Sequence, residues 1–117
     1  MNIAVVGSRV FENYRILEMT LDCLIRDRGF SDITIVSGGA RGADTLAERY
    51  AKNRGYKLIV REANWDAYGK RAGFLRNEEM AEMVDLCVGF VVGDSKGTTH
   101  MLKSCADRGV ETIAIRS

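Results

Sequence analysis

Short apolar runs alternate along this chain with stretches whose apolar residues recur every three or four positions. Ile3-Ala4-Val5-Val6, Ile33-Thr34-Ile35-Val36, Tyr56-Lys57-Leu58-Ile59-Val60, Leu86 to Val92 and Val110 to Ile115 are too short for helices and rich in β-branched residues, so each predicts a strand. The first run has no polar alternation, as expected of a parallel strand covered on both faces. Between the strands, Tyr14, Leu17, Leu21, Leu24 and Ile25 fall on one helical face, with Asn13 placed to cap and Gly29 to stop. Ala43, Leu46, Ala47, Tyr50 and Ala51 make a second stripe ending at Gly55, and Ala72, Leu75, Met80, Met83 and Val84 make a third within Gly69 to Asp85. Met101, Leu102, Cys105 and Ala106 make a fourth, closed by Gly109. Strands alternating with helices over short connections predict an α/β three-layer sandwich, in which helices cover both faces of one five-stranded, mostly parallel sheet. With a strand order of 3-2-1-4-5, the first and fourth strands meet at the switch point where such sheets bind ligands.

The second strand runs into Ser37-Gly38-Gly39-Ala40-Arg41-Gly42-Ala43-Asp44, a glycine-rich turn that opens a helix. Glycines there allow a sharp reversal and remove the Cβ atoms that would hold a ligand away, while helix N–H groups favour an anion. Arg41 adds a cation able to grip phosphate or carboxylate through paired hydrogen bonds. A plain βα turn explains the same glycines, since the stretch matches neither the dinucleotide nor the P-loop signature. A second loop of the same kind, Gly93-Asp94-Ser95-Lys96-Gly97-Thr98-Thr99-His100, follows the fourth strand. There Thr98 or Thr99 is placed to cap the helix or to donate to a phosphate. Gly7-Ser8-Arg9 ends the first strand, and the predicted strand order brings all three turns to one crevice.

In the third helical stretch Lys70, Arg71 and Arg76 precede Glu78, Glu79 and Glu82, against the helix dipole, an ordering whose cost is small enough to be accidental and which is also expected if the cations serve a bound anion. Asp44 suits the dipole of its own helix without any further role, and also sits among the candidate ligand residues. Trp65 and Tyr68 lie in a polar connection, where they either anchor the loop or stack on a base.

At 117 residues the chain makes one domain, 1–117, able to bury an ordinary core. Its net charge of +1 supplies no broad field toward nucleic acid or membrane, so any phosphate binding is local. Cys23, Cys87 and Cys105 are odd in number and widely spaced, which argues against a disulfide framework or a zinc site and suggests buried, reduced thiols. The opening residues carry no signal-like pattern and no stretch is long enough to span a bilayer, so a cytoplasmic location is expected, with no metal or resident cofactor.

Gly7-Ser8-Arg9, Ser37 to Asp44, Arg76-Asn77-x-x-Met80 and Gly93-x-Ser95-x-Gly97-Thr98, taken in that order, resemble the SLOG superfamily, which groups the Smf/DprA DNA-processing proteins with the LOG phosphoribohydrolases. Within it the small YspA-like branch is the best match. The resemblance covers nearly the whole chain. It implies a Rossmann-like fold that binds a nucleotide or nucleotide-derived molecule, such as a nucleoside phosphate, an ADP-ribose-like signal or a cyclic nucleotide, and it implies a homo-oligomer. LOG enzymes cleave the N-glycosidic bond of nucleoside 5′-monophosphates with an arginine from Arg-Lys-x-x-Met and a glutamate after a glycine loop. Arg76 and Met80 match the first motif, with Asn77 in place of lysine. The glutamate position falls at His100 or Met101, so the catalytic residues stay unknown, with Asp44 or Asp94 as a substitute carboxylate. The expected ligand residues are Gly7, Ser8, Arg9, Ser37, Gly38, Gly39, Arg41, Gly42, Asp44, Arg76, Asn77, Gly93, Ser95, Gly97, Thr98 and Thr99. A sensing or sequestering module is the leading expectation, a nucleotide N-glycosidase the second. Single-stranded DNA binding of the DprA kind comes third, because near-neutral charge and few aromatics do not make a basic stacking groove.

Overall fold

Strand β1 (Asn2–Gly7) divides its side chains between two cores, because successive residues of a strand face opposite ways. Ile3 and Val5 pack with Ile35, Val88, Phe90 and the apolar faces of two helices, α1 (Tyr14–Arg28) and α2 (Ala43–Arg54). Ala4 and Val6 pack on the other side with Val36, Cys87 and Met80, Met101 and Cys105 of two later helices, α4 (Ala72–Met83) and α5 (Lys96–Asp107). The computed structural model describes residues 1–116. Between α2 and α4 lie β3 (Lys57–Val60), a four-residue helix α3 (Trp65–Tyr68) and a 3₁₀ turn. With β2 (Thr34–Ser37), β4 (Leu86–Val91) and β5 (Glu111–Arg116), the strands form one parallel sheet in the order β3-β2-β1-β4-β5. All four strand pairs are parallel, with β1 central between β2 and β4. The Rossmann-like α/β sandwich and its switch point are therefore those read from the apolar runs.

The α1 and α2 boundaries follow their predicted signals. Asn13 accepts from the Ile16 N–H at 3.2 Å to cap α1, and Gly29 and Gly55 close the two helices in left-handed conformation. Two later boundaries differ. The helix expected over Gly69 to Asp85 begins later, as α4 at Ala72, because Gly69 takes φ 57° and opens a 3₁₀ turn over Gly69–Arg71 that separates α4 from α3. Helix α5 starts at Lys96, with Ser95 in the cap position, so neither Thr98 nor Thr99 is the cap. The Ser95 and Thr98 hydroxyls bond each other at 2.7 Å instead of reaching back to backbone N–H groups. Of the three thiols expected to be buried, Cys87 and Cys105 are, and Cys23 is exposed on α1. No helix among the described residues is long and apolar enough to cross a membrane.

Candidate functional site

The turns after β1, β2 and β4 are tied into one unit by a single small residue. The Ser8 N–H donates to the Phe90 carbonyl at 2.9 Å, and the Ser8 carbonyl accepts from Phe11 and from Ala43 at the start of α2. The Ser8 hydroxyl accepts from the Val92 N–H at 2.8 Å and donates to its carbonyl. Gly42, at φ 76°, lets the β2 turn lie directly on this segment: a Cβ there would fall 2.6 Å from the Arg9 carbonyl carbon. Backbone meets backbone at that point, so no side chain could move aside.

These turns enclose a cleft at the carboxyl edge of the sheet. Its inner part has a cavity volume of about 160 Å³, with Gly7, Arg9, Gly38, Asp44, Arg76, Asn77, Ser95, Gly97 and Thr98 in its wall. An outer part of about 370 Å³ shares Arg9, Gly38 and Arg76, and adds Gly39, Arg41, Glu62 and Trp65. Helices α2 and α5 both begin at this cleft without a side-chain cap, whereas Asn13 and Asn64 cap α1 and α3. First-turn N–H groups at the cleft are thus left without the usual side-chain acceptor.

Arg76 crosses from α4 to the β2 turn and donates to the Gly38 carbonyl, while its Nε donates to Asn77 Oδ1 at 3.0 Å. Asn77 in turn donates to the Gly97 carbonyl at 3.0 Å, so these adjacent α4 residues join both glycine loops. Among the described residues the Arg76 Nη2 has no protein acceptor, and burial pushes the guanidinium below its usual pKa, with the nearby Arg9 charge acting in the same direction. The Asp44 charge opposes both.

Asp44 does more than complement a helix dipole. It is 5% exposed, accepts from the Ala40 N–H at 3.2 Å, and has its carboxyl pushed up to about 6 by burial. The hydrogen bonds from Ala40 and Gly38 and the charge of Arg76 pull it down without offsetting the burial. The acidic end of α4 is explained by α5 instead: Glu78 pairs with Arg108 at 2.8 Å and accepts from Ser104 at 2.8 Å.

Of the expected ligand residues, eleven lie in the cleft wall as just described, namely Gly7, Arg9, Gly38, Gly39, Arg41, Asp44, Arg76, Asn77, Ser95, Gly97 and Thr98. Ser8 and Ser37 are buried and engaged inside the protein; the Ser37 hydroxyl accepts from Gly39 at 3.1 Å and donates to Glu48 at 2.9 Å. Gly42 shapes the turn from behind, and Gly93 and Thr99 lie outside the wall. Of the two residues at the LOG glutamate position, Met101 lines the inner part, while His100 rests its ring 4.4 Å from that of Phe74. Glu62, which no sequence motif marks as a site residue, enters the wall because the end of β3 lies beside the β2 turn.

The family model for YspA, cpYpsA-related SLOG proteins (YAcAr) matches residues 1–68, which hold two of the three cleft turns. The gene 61 protein of Mycobacterium phage D29 is 32% identical, with 95% of this chain and 93% of that protein aligned. The X-ray structure of DNA processing protein A (DprA) from Streptococcus pneumoniae shares the fold, with a TM-score of 0.60 at 18% identity over 96% of this chain. This chain spans 58% of the length of that one. With more than half of its residues matched by the family model, and 95% of its length aligned with a phage relative, the chain belongs to the YspA, cpYpsA-related SLOG family.

Proposed function

We propose that this protein binds a nucleotide or nucleotide-derived molecule in the cleft, holding a phosphate group at the start of α5, as a sensor or sequestering module. One observation carries the reading. The uncapped first turn of α5 at Ser95, Gly97 and Thr98 and the open Nη2 of Arg76 meet around the same cavity. Backbone N–H groups at a helix start and a guanidinium fork suit a phosphate, and the outer volume leaves room for the sugar and base. Titration calorimetry with nucleoside monophosphates, ADP-ribose and a cyclic dinucleotide tests it. Binding tighter than millimolar by one of them supports the reading, and none across the panel removes it.

Asp44 favours a second reading, hydrolysis of the N-glycosidic bond. A carboxyl titrating near 6 inside a ligand cleft is matched to proton transfer at neutral pH, and it provides the carboxylate that His100 and Met101 do not. Release of free base from a nucleoside monophosphate by the wild-type protein, and not by Asp44→Asn, is the test. The likeness to DprA raises DNA binding as an outcome to measure in the same preparation. Retardation of single-stranded DNA at low salt, lost on replacing Arg9 and Arg41, would transfer the cleft to that ligand. Self-association is measured alongside by sedimentation.

A further inference from the structure

The outer part of the cleft has a composition unlike the inner one. Its wall includes the sole tryptophan, Trp65, and a carboxylate, Glu62. Trp65 leaves 50% of its surface in water, a large apolar exposure for the biggest side chain in the protein. Its position is nonetheless fixed. Asn64 caps the short helix by accepting from Ala67 at 3.1 Å, the Asn64 carbonyl accepts from Tyr68, and the ring lies so close to α4 that a Cβ on Gly73 would sit 3.3 Å from its Cη2. A held, half-exposed indole in a cavity wall offers a π-face to a planar guest.

Glu62 stands against the β2 turn, where a Cβ on Gly39 would meet its Cγ at 2.8 Å and its Oε1 at 3.4 Å. Among the described residues it takes part in no hydrogen bond or ion pair, although Arg9, Arg41 and Arg76 line the same volume. A carboxylate repels a second phosphate and accepts N–H donors. Two carboxylate oxygens match two adjacent parallel donors, and guanine presents such a pair at N1–H and N2–H. Adenine sets an acceptor nitrogen beside its amino group, which a carboxylate opposes.

We infer that the outer part of the cleft is a base subsite, in which Trp65 stacks on the base and Glu62 selects guanine. The inference rests on the nucleotide reading above, because the wall shared through Arg9, Gly38 and Arg76 joins this subsite to the one assigned to phosphate.

The test titrates GMP, AMP, UMP and ribose 5-phosphate into the wild-type protein and into Trp65→Ala, Trp65→Phe and Glu62→Gln. Heat is read throughout, and the fluorescence of the single tryptophan in the proteins that keep it. Stacking on an aromatic ring gives about a tenfold gain per base. GMP is expected to bind about tenfold tighter than ribose 5-phosphate and to quench Trp65. Trp65→Ala should bring GMP to the level of ribose 5-phosphate while leaving the latter within about twofold, and Trp65→Phe should keep most of the difference. Glu62→Gln should remove the preference for GMP over AMP. Equal binding of GMP and ribose 5-phosphate, or preference for AMP or UMP, overturns the subsite while phosphate binding stands. No binding of any of the four, ribose 5-phosphate included, overturns the nucleotide reading itself and the subsite with it.

Discussion

Arg76 and Asp44 flank Gly38 so closely that a Cβ at that residue would lie 2.6 Å from the Arg76 Nη1 and 2.8 Å from the Asp44 Oδ2. Glycine is what allows a cation from α4 and an acid from α2 to share the cleft floor. The acid is largely neutral below its shifted pKa and the cation never is, so the floor is positive or near balanced according to pH.

Removing the cation weakens ligand binding without unfolding the domain. For Arg76→Ala we expect at least a tenfold loss of nucleoside monophosphate affinity by calorimetry, in line with roughly 1.5–3 kcal/mol for a hydrogen bond to a charged group. Arg76→Lys keeps the charge but not the fork, and should fall between the two.

Asp44 makes stability depend on pH. Its folded pKa of about 6 lies above the ordinary 3.8, so folding takes up a proton between those values and stability falls as pH rises through that window. The fall is roughly 3 kcal/mol by 1.36 kcal/mol per unit, and is complete above pH 6. Asp44→Asn cannot ionise. Urea unfolding at pH 4.5 and 7.5 should therefore show the variant gaining on wild type toward the higher pH; a constant difference contradicts the assignment.

Two glycines of the β2 turn should respond differently to alanine. Gly42 has φ 76° and faces backbone, so Gly42→Ala is expected to cost at least about 2 kcal/mol in urea unfolding. At Gly38 the obstacles are the ends of two side chains, which can swing away. Gly38→Ala should unfold at nearly the wild-type urea concentration and bind ligand far more weakly, because Arg76 is displaced.

Thiol reactivity checks the core. Contact with Cys105 and burial raise the Cys87 thiol well above its usual range, and both residues are fully buried. A disulfide exchange reagent should label one cysteine, Cys23, quickly in the native protein, and all three only in denaturant.

The sheet was legible because the central strands β1 and β4 are continuous apolar runs, the outer ones stay short and β-branched, and nearly every helix has its stop signal in sequence, such as Gly29 and Gly55. What escaped depends on distant neighbours. Asp44 reads both as a dipole partner and as a candidate ligand residue, but its burial, and the Arg76 charge beside it, come from packing that its own sequence neighbourhood does not mark. Ser8 and Ser37 look like ligand hydroxyls because a serine in a turn carries no mark of whether backbone or solvent will take its bond. The start of α5 was misplaced since Ser95, Thr98 and Thr99 all suit a cap, and only the backbone bond from the Thr99 N–H to the Ser95 carbonyl, at 3.0 Å, decides among them. Trp65, weighed as a loop anchor or a stacking surface, rests against Gly73 as an anchor does while half of its surface stays exposed.

At 13.0 kDa the protein suits amide mapping by NMR, which asks where a ligand sits and whether it binds. On titration with a nucleoside monophosphate, the account predicts the largest shifts at Gly38, Asp44, Arg76, Gly97 and Thr98, with little change along α1 and β5. Shifts centred elsewhere, or none up to millimolar ligand, would contradict it.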